Sequence, residues 1–299
     1  MTLYSQAESN TKKTWMLLGG FFLLLVGAGW AISVLLGSQL FLLLALALSI
    51  GGSFASYWYS DRIVVRLTGA KEADRAEYAE VCRLVENLSI ASGLPAPRLF
   101  IIDSSQPNAF ATGRSAEKGV VAVTTGLLER LDRSELEGVL AHELSHIGNK
   151  DMLVSSIAVV LVGTVVLLAD FFFRTALWGG SRNSREGGQA RLLLIGVALV
   201  FLVLAPLLAN LLKFAISRKR EYLADASGAL LTRYPEGLVR ALEKIAQDPH
   251  ELKGASDGTA HLFFANPFRG KEQERWIHRM FSTHPPVQDR VRALRMIEL

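Results

Sequence analysis

Four stretches of the chain, residues 15–36, 39–59, 152–173 and 192–212, are nearly free of charge. Each is about 20 residues long, the length at which an α-helix crosses a hydrocarbon core of ~30 Å. They predict two transmembrane hairpins. Gly37-Ser38 turns the first, and a Gly/Ser/Arg-rich segment at 174–191 turns the second. Trp15, Trp30, Tyr57, Trp58 and Tyr59 lie at or near the ends of the first two runs, where amphipathic rings favour the membrane–water interface. The first run is too long for the apolar core of a signal peptide and has no small-x-small site after it. It reads as a retained anchor behind a polar tail, Met1 to Thr14.

The polar segments carry ordinary globular patterns. The chain therefore divides into a tail and first hairpin (1–60), a first half-domain (61–151), a second hairpin (152–213) and a second half-domain (214–299). From Lys71 to Ala91 the pattern is helical, with Ala73, Tyr78, Val81, Leu84 and Val85 on one side and Gly93 and Pro95 as the stop. The β-rich runs 98–102, 108–113 and 119–124, with a polar turn at 114–118, predict a small, mostly antiparallel sheet. Ser134 and Glu137 have capping-box spacing and predict a helix start, and Gly148-Asn149 predicts its end. Further helices are expected over 217–232, 236–247 and 286–298, the last opened by Pro285-Pro286. Residues 248–262 read as loop.

Composition changes this picture little. Of 299 residues 50% are hydrophobic and 20% charged, only slightly more apolar than a soluble protein. Where the apolar residues fall matters more than how many there are. A soluble enzyme, a disordered chain and a nucleic-acid-binding protein are all disfavoured. The net charge of +4 fits a membrane protein whose cytoplasmic loops collect Lys and Arg, and no nucleic-acid partner is expected. The single cysteine, Cys82, excludes an internal disulfide and any multi-cysteine metal site. It is expected at a buried helix position in a reducing compartment.

The sharpest chemical signal is His142-Glu143-Leu144-Ser145-His146. On a helix, residues i and i+4 lie one above the other. Both imidazoles then point the same way and can grip one ion, and Glu143 can reach a water bound to it. This is the H-E-x-x-H pattern of zinc hydrolases. A catalytic zinc wants a third protein ligand and one open position. His250, His261, His278 and His284 all lie C-terminal, and an acidic ligand is the other option. Glu221 is the best candidate. Asp225 lies one helical turn further, placed to accept a hydrogen bond from a ligand histidine. Taken alone, Glu221 and Asp225 read equally well as a solvated acidic pair.

Several segments taken in order resemble the HtpX family of membrane-bound zinc metalloproteases, which is related to the CAAX prenyl proteases. They are Asn108-Ala-Phe-Ala-Thr-Gly113, Val121-Ala-Val-Thr-Thr-Gly-Leu-Leu128, Ala141-His-Glu-Leu-Ser-His146, Ser217 to Asp225, and Ser282-Thr-His-Pro-Pro286 with Arg290. The resemblance implies a four-helix membrane protein carrying a zincin-like (gluzincin) α+β metalloprotease domain. It implies one zinc per chain, with Glu221 as the third ligand and Asp225 behind a histidine. It also implies that the strand from Asn108 through Ala109, Phe110 and Ala111 borders the cleft, where a peptide could add as a further strand. The implied substrates are misfolded or damaged membrane proteins in envelope quality control, alongside other quality-control proteases. His284 could stabilise an oxyanion or merely cap the last helix. Arg290 could pair with a carboxylate near the site or stay solvated.

The two halves of the site straddle the second hairpin, so both flanks must emerge on one side. Lys12, Lys13, Arg62, Arg66, Lys71, Lys150, Lys213, Arg218, Lys219 and Arg220 fall on that side and predict a cytoplasmic site in a multi-pass protein of the cell membrane. Against this, Arg174, Arg182, Arg185 and Arg191 crowd the outer loop, and Asp170 lies inside the third apolar run. The competing readings are a prenyl-protein protease and a non-catalytic metal-dependent scaffold or transporter. A transporter would place polar groups or broken helices at mid-membrane, and Pro206 is the only proline in the four runs.

Overall fold

The computed structural model describes residues 3–178, 195–200, 218–252, 255, 259–268 and 285–297. Two long helices open the chain, α1 (Leu3–Leu36) and α2 (Leu40–Thr68). Gly37, with φ +62°, turns one into the other. The sequence reading of a tail up to Thr14 is corrected from Leu3 onward, where α1 already begins. Asn10 and Thr14 are buried there. The polar end of α1 docks on the globular part instead of dangling in solvent.

A third long helix, α6 (Asp151–Trp178), packs against both. Leu18, Phe21 and Leu25 of α1 interlock with Leu153, Ile157, Leu161 and Val165 of α6. Leu23, Leu43, Leu48, Ile50, Leu167 and Phe171 face outward. An exposed apolar surface of this extent marks a membrane contact. Among the described residues three helices are long and apolar enough to cross a bilayer. Residues 195–200 are helical, and the rest of the expected fourth span lies outside the described residues. Asp170 is half-exposed and pairs with Arg174 one turn on, at 2.6 Å, which answers the cost of a carboxylate in an apolar helix.

The globular part begins with a strand where a helix was expected. Lys71–Glu72 form β1, pairing antiparallel with Ile101 and Phe100 of β2 (Arg98–Ile102). Asp74 then accepts the Ala76 N–H in a tight turn, and α3 spans only Ala79–Ser92. Pairing with β2 outweighs helix propensity over the first turns, because propensity is a weak prior against tertiary contacts. Gly93, at φ +70°, ends α3 as expected. Cys82 is half-buried on this helix, less enclosed than the sequence suggested.

β3 (Ala109–Thr112) and β4 (Val120–Thr124) complete a four-stranded sheet ordered β1-β2-β4-β3. The sheet is mostly antiparallel as expected, through its two outer pairs, but it is mixed and not wholly antiparallel, because β2 and β4 run parallel. After β2 the chain skips one strand position to lay β3 on the edge. The hairpin then returns β4 into the gap beside β2.

Two helices follow, α4 (Thr125–Arg130) and α5 (Arg133–Gly148). The capping box at α5 uses Asp132 and Glu135, not Ser134 and Glu137. Asp132 Oδ1 accepts the Glu135 N–H at 3.0 Å, and Glu135 Oε2 accepts the Asp132 N–H at 2.9 Å. Both pairs have the same spacing. The carboxylate wins as the stronger acceptor at a helix N-terminus, and Ser134 donates to it instead.

Beyond the second apolar pair lie α7 (Arg218–Thr232), α8 (Pro235–Gln247) and α9 (Val287–Arg295). α7 and α8 pack on α5. Glycine permits the close approach: a Cβ on Gly138 would stand 2.8 Å from the Leu238 backbone N, and one on Gly228 would stand 3.0 Å from the His142 N. The core joins α3, the α5-facing side of the sheet, α5 and α8, with Val123, Leu140, Leu144 and Leu242 at its centre.

Candidate metal centre

α5 runs through the middle of the globular part with Leu140, Leu144 and Ile147 in the core. That burial fixes its rotation. His142 and His146 then share the opposite face, with Nε2 atoms 3.1 Å apart. α7 lies across α5 at Gly228, close enough for Glu221 in its first turn to reach both rings. Glu221 Oε2 is 3.9 Å from His142 Nε2, and Oε1 is 3.6 Å from His146 Nε2. His142, Glu143, Glu221 and Asp225 are all nearly inaccessible to solvent.

His142, His146 and Glu221 form a group that could hold a metal ion. Bond lengths of about 2.0–2.1 Å in tetrahedral geometry would separate ligand atoms by about 3.3 Å. The observed 3.1, 3.6 and 3.9 Å bracket that separation, and the two-nitrogen, one-carboxylate donor set suits a borderline ion. The residues present therefore fit a metal.

Each histidine is fixed from behind by a carboxylate, and each carboxylate by an arginine. His142 Nδ1 donates to Asp225 Oδ1 at 2.9 Å. Arg290 on α9 donates to both Asp225 oxygens, at 2.7 and 2.9 Å. Arg290 is itself 1% exposed, so the solvated alternative for it is out, and the solvated pair for Glu221 and Asp225 is out with it. Its guanidinium lies 4.6 Å over the Phe264 ring, and that ring meets His142 edge-on at 5.0 Å. On the other side, His146 Nδ1 stands 3.2 Å from Asp151 Oδ2. Asp151 Oδ1 accepts from Arg220 at 3.0 Å and from Asn10 of α1 at 2.6 Å.

Sequence reasoning missed Asp151, Arg220 and Asn10. The signal was present but sat across a helix break. Asn149 caps α5, and Lys150, at φ +57°, turns the chain. The first residue of α6 thereby swings back under His146. Arg220, beside Glu221, was counted only as interface charge.

Electrostatics separate the two rings. Burial pushes the His142 imidazole down to about 4 in spite of Asp225, so it is neutral at pH 7 with its Nε2 lone pair turned toward His146 and the site. Burial disfavours charge on His146 too. The Asp151 hydrogen bond and the charges of Glu221, Asp151 and Glu143 outweigh that and push it up to about 9. The pocket thus favours a cation at the point between Glu221 and the rings. Burial would raise the Asp225 carboxyl, but the Arg290 guanidinium and the hydrogen bonds from Arg290 and His142 hold it at about 2.

The Asn108–Ala111 segment lies where an edge strand was expected, since β3 is the outer strand of the sheet. Part of that edge is already used. Phe264 N–H donates to Ala109 O at 2.7 Å. Asn108 Nδ2 donates to Ala265 O at 2.9 Å, and Ala265 N–H donates to Asn108 Oδ1 at 3.1 Å. Phe110 turns to the opposite face and packs edge-on against Phe263. His284, His278, Lys213 and the loop arginines Arg182, Arg185 and Arg191 lie outside the described residues. His250 is half-exposed, bonded to Asp248 and Arg130, and is not part of the group at Glu221.

A candidate metal site of H-E-x-x-H type docked on helices of this length and apolarity fits the class of membrane-bound metalloproteases. Comparison with known proteins agrees. The family described as Peptidase family M48 matches residues 75–298. A protease HtpX homolog of Dictyoglomus thermophilum is 43% identical over 297 residues, 99% of this chain and 95% of that relative. Homologs of the same description from Syntrophobacter fumaroxidans and Listeria monocytogenes are 44% and 40% identical, covering 95% and 98% of this chain and 98% and 99% of theirs. The chain belongs to peptidase family M48. Among solved structures, the crystal structure of S. mikatae Ste24p matches with 19% identity and a TM-score of 0.46, over 97% of this chain and 67% of that one.

Proposed function

We propose that the chain is a zinc-dependent endopeptidase. Its metal would be held by Nε2 of His142, Nε2 of His146 and a carboxylate oxygen of Glu221. The convergence of these three atoms beside Glu143, with both rings braced by carboxylates, carries the reading. Zinc bound there would polarise the scissile carbonyl and acidify the attacking water. Glu143 takes that water's proton and delivers it to the leaving nitrogen. Asp225 and Asp151 hold the imidazoles in the tautomer that leaves each Nε2 unprotonated.

The peptide would add along the outer edge of β3. Ala109 O faces outward, as its bond to Phe264 shows. Strand alternation turns the N–H and C=O of Ala111 the same way. Ala111 is thus the docking position, with Asn108, Ala109 and the 263–265 segment forming the wall beside it. The substrates we assign are misfolded or damaged membrane proteins at the cytoplasmic face of the cell membrane. Two things support this assignment: the direct attachment of the site to α1 through Asn10, and the basic residues gathered at that end.

The deciding experiment depletes the detergent-purified protein of metal with a chelator and restores zinc. Cleavage of an unfolded protein should vanish and return, with one zinc bound per chain. Full activity in the depleted protein would sink the proposal. A second measurement addresses the bracing. Asp151→Asn should weaken zinc binding by about 10–100-fold in competition with a chromogenic chelator, and Asn10→Ala should weaken it less. Unaltered affinity in Asp151→Asn would remove Asp151 from the site.

A further inference from the structure

A cleft of about 540 Å³ opens beside the Phe54–Arg62 stretch of α2. Its lining includes Trp58, Arg62, Arg98, Arg114 and Lys118. Among the described lining residues four cations face two carboxylates, Asp61 and Glu117, and Asp61 is already paired with Arg98 at 3.3 Å. The cleft is therefore net positive. The Arg114 guanidinium lies 4.1 Å over the Trp58 ring, and Arg62 lies 5.7 Å over Tyr59. These aromatic faces orient the cations while leaving their N–H donors available.

Depth decides what such a cleft would meet. The twenty residues from Leu40 to Tyr59 rise about 30 Å as a helix, the thickness of the hydrocarbon core. Trp58 to Arg62 therefore stand at headgroup level when α2 spans a bilayer. Phe54 and Trp58 are about half exposed and supply an apolar wall on the membrane side. Arg62, Arg114 and Lys118 supply donors on the domain side. Basic pockets at that depth suit phosphate-bearing headgroups, and the mixed wall suits the junction of phosphate and acyl chain.

We propose that this cleft binds the phosphate of one anionic phospholipid, with Arg114 and Arg62 as its principal contacts. The lipid ties the sheet, through Arg98 and Arg114, to the end of α2. The inference depends on α2 spanning a membrane and not on the metal centre.

Native mass spectrometry of the full chain, delipidated in neutral detergent, provides the test. Phosphatidylglycerol and phosphatidylcholine of the same acyl chains would be titrated separately. The expected result is one retained phosphatidylglycerol at about tenfold preference. Arg114→Gln should reduce that to the level of phosphatidylcholine, with an unchanged melting temperature as a check on folding. Arg62→Glu combined with Lys118→Glu, both at exposed positions, gives a second variant with the same expectation. Equal retention of the two lipids by the wild type, or undiminished preference in a folded variant, would overturn the site. Displacement of the lipid by millimolar inorganic phosphate would overturn the lipid assignment in favour of a free anion.

Discussion

Glu143→Gln is expected to keep the proposed zinc and lose proteolysis by about 10²–10⁴-fold, the range that a positioned general base supplies. The substitution conserves volume, so the buried packing around α5 is undisturbed. It removes the ability to accept and return a proton, together with one buried negative charge. Glu143 is 2% exposed and neighbours His142 in sequence, and its charge bears on His146 and Arg290. The comparison requires metal content and kcat/KM on one unfolded substrate, measured on the same preparations. A variant that carries zinc and cleaves at the wild-type rate would remove Glu143 from the chemistry. A variant that loses its zinc would show instead that Glu143 shapes the site.

Arg290→Ala is expected to give the largest loss of stability. Arg290 is among the largest fully buried side chains and carries a charge paired to Asp225. Removing one partner of such a pair leaves the other buried and uncompensated, at a cost of about 3–5 kcal/mol. For a domain of this size that lowers the melting temperature by about 10 °C. The double variant Arg290→Met with Asp225→Asn should recover part of the loss, because it buries no charge. The pH dependence has a definite sign. The Asp225 carboxyl is depressed to about 2, so its contribution is complete above the unfolded value near 4 and disappears as pH falls through about 2. Thermal unfolding in detergent across that window reads both effects. A shift of less than about 2 °C in Arg290→Ala would show the pair to be dispensable.

The site was only partly legible along the chain. His142, Glu143 and His146 could be read because the helix period places i and i+4 on one face, and the structure brings these residues together with Glu221 and Asp225. Arg290 had two readings, and nothing local chose between them. It lies one turn into a short exposed-looking helix, and only the packing of α9 over α7 turns it inward. Asp151 went unread for a different reason. It opens a helix of spanning length, so its place in the pattern looked like a boundary.

The elements show the same division. α8 lies within a residue of its expected span and α7 ends at Thr232 as expected, because helix periodicity and Pro235 are local signals. β1 was misread because two residues carry too little pattern, and their pairing with Phe100 and Ile101 is non-local. The parallel pairing of β2 with β4 was equally invisible, since strand order depends on where the loops lead.

The sequence by itself determined that this chain carries helices of membrane-spanning length and a two-histidine metal motif on a helix. Both are periodic features, set by spacing within one element. Only the tertiary structure decided how the site is braced. Burial of Leu140, Leu144 and Ile147 rotates α5, the gap at Gly228 admits α7, and the left-handed turn at Lys150 returns Asp151 to His146. These are contacts between distant segments. The first two follow from burying apolar surface and from the room a missing Cβ leaves, and the last from the pairing that buried polar groups need once water is excluded.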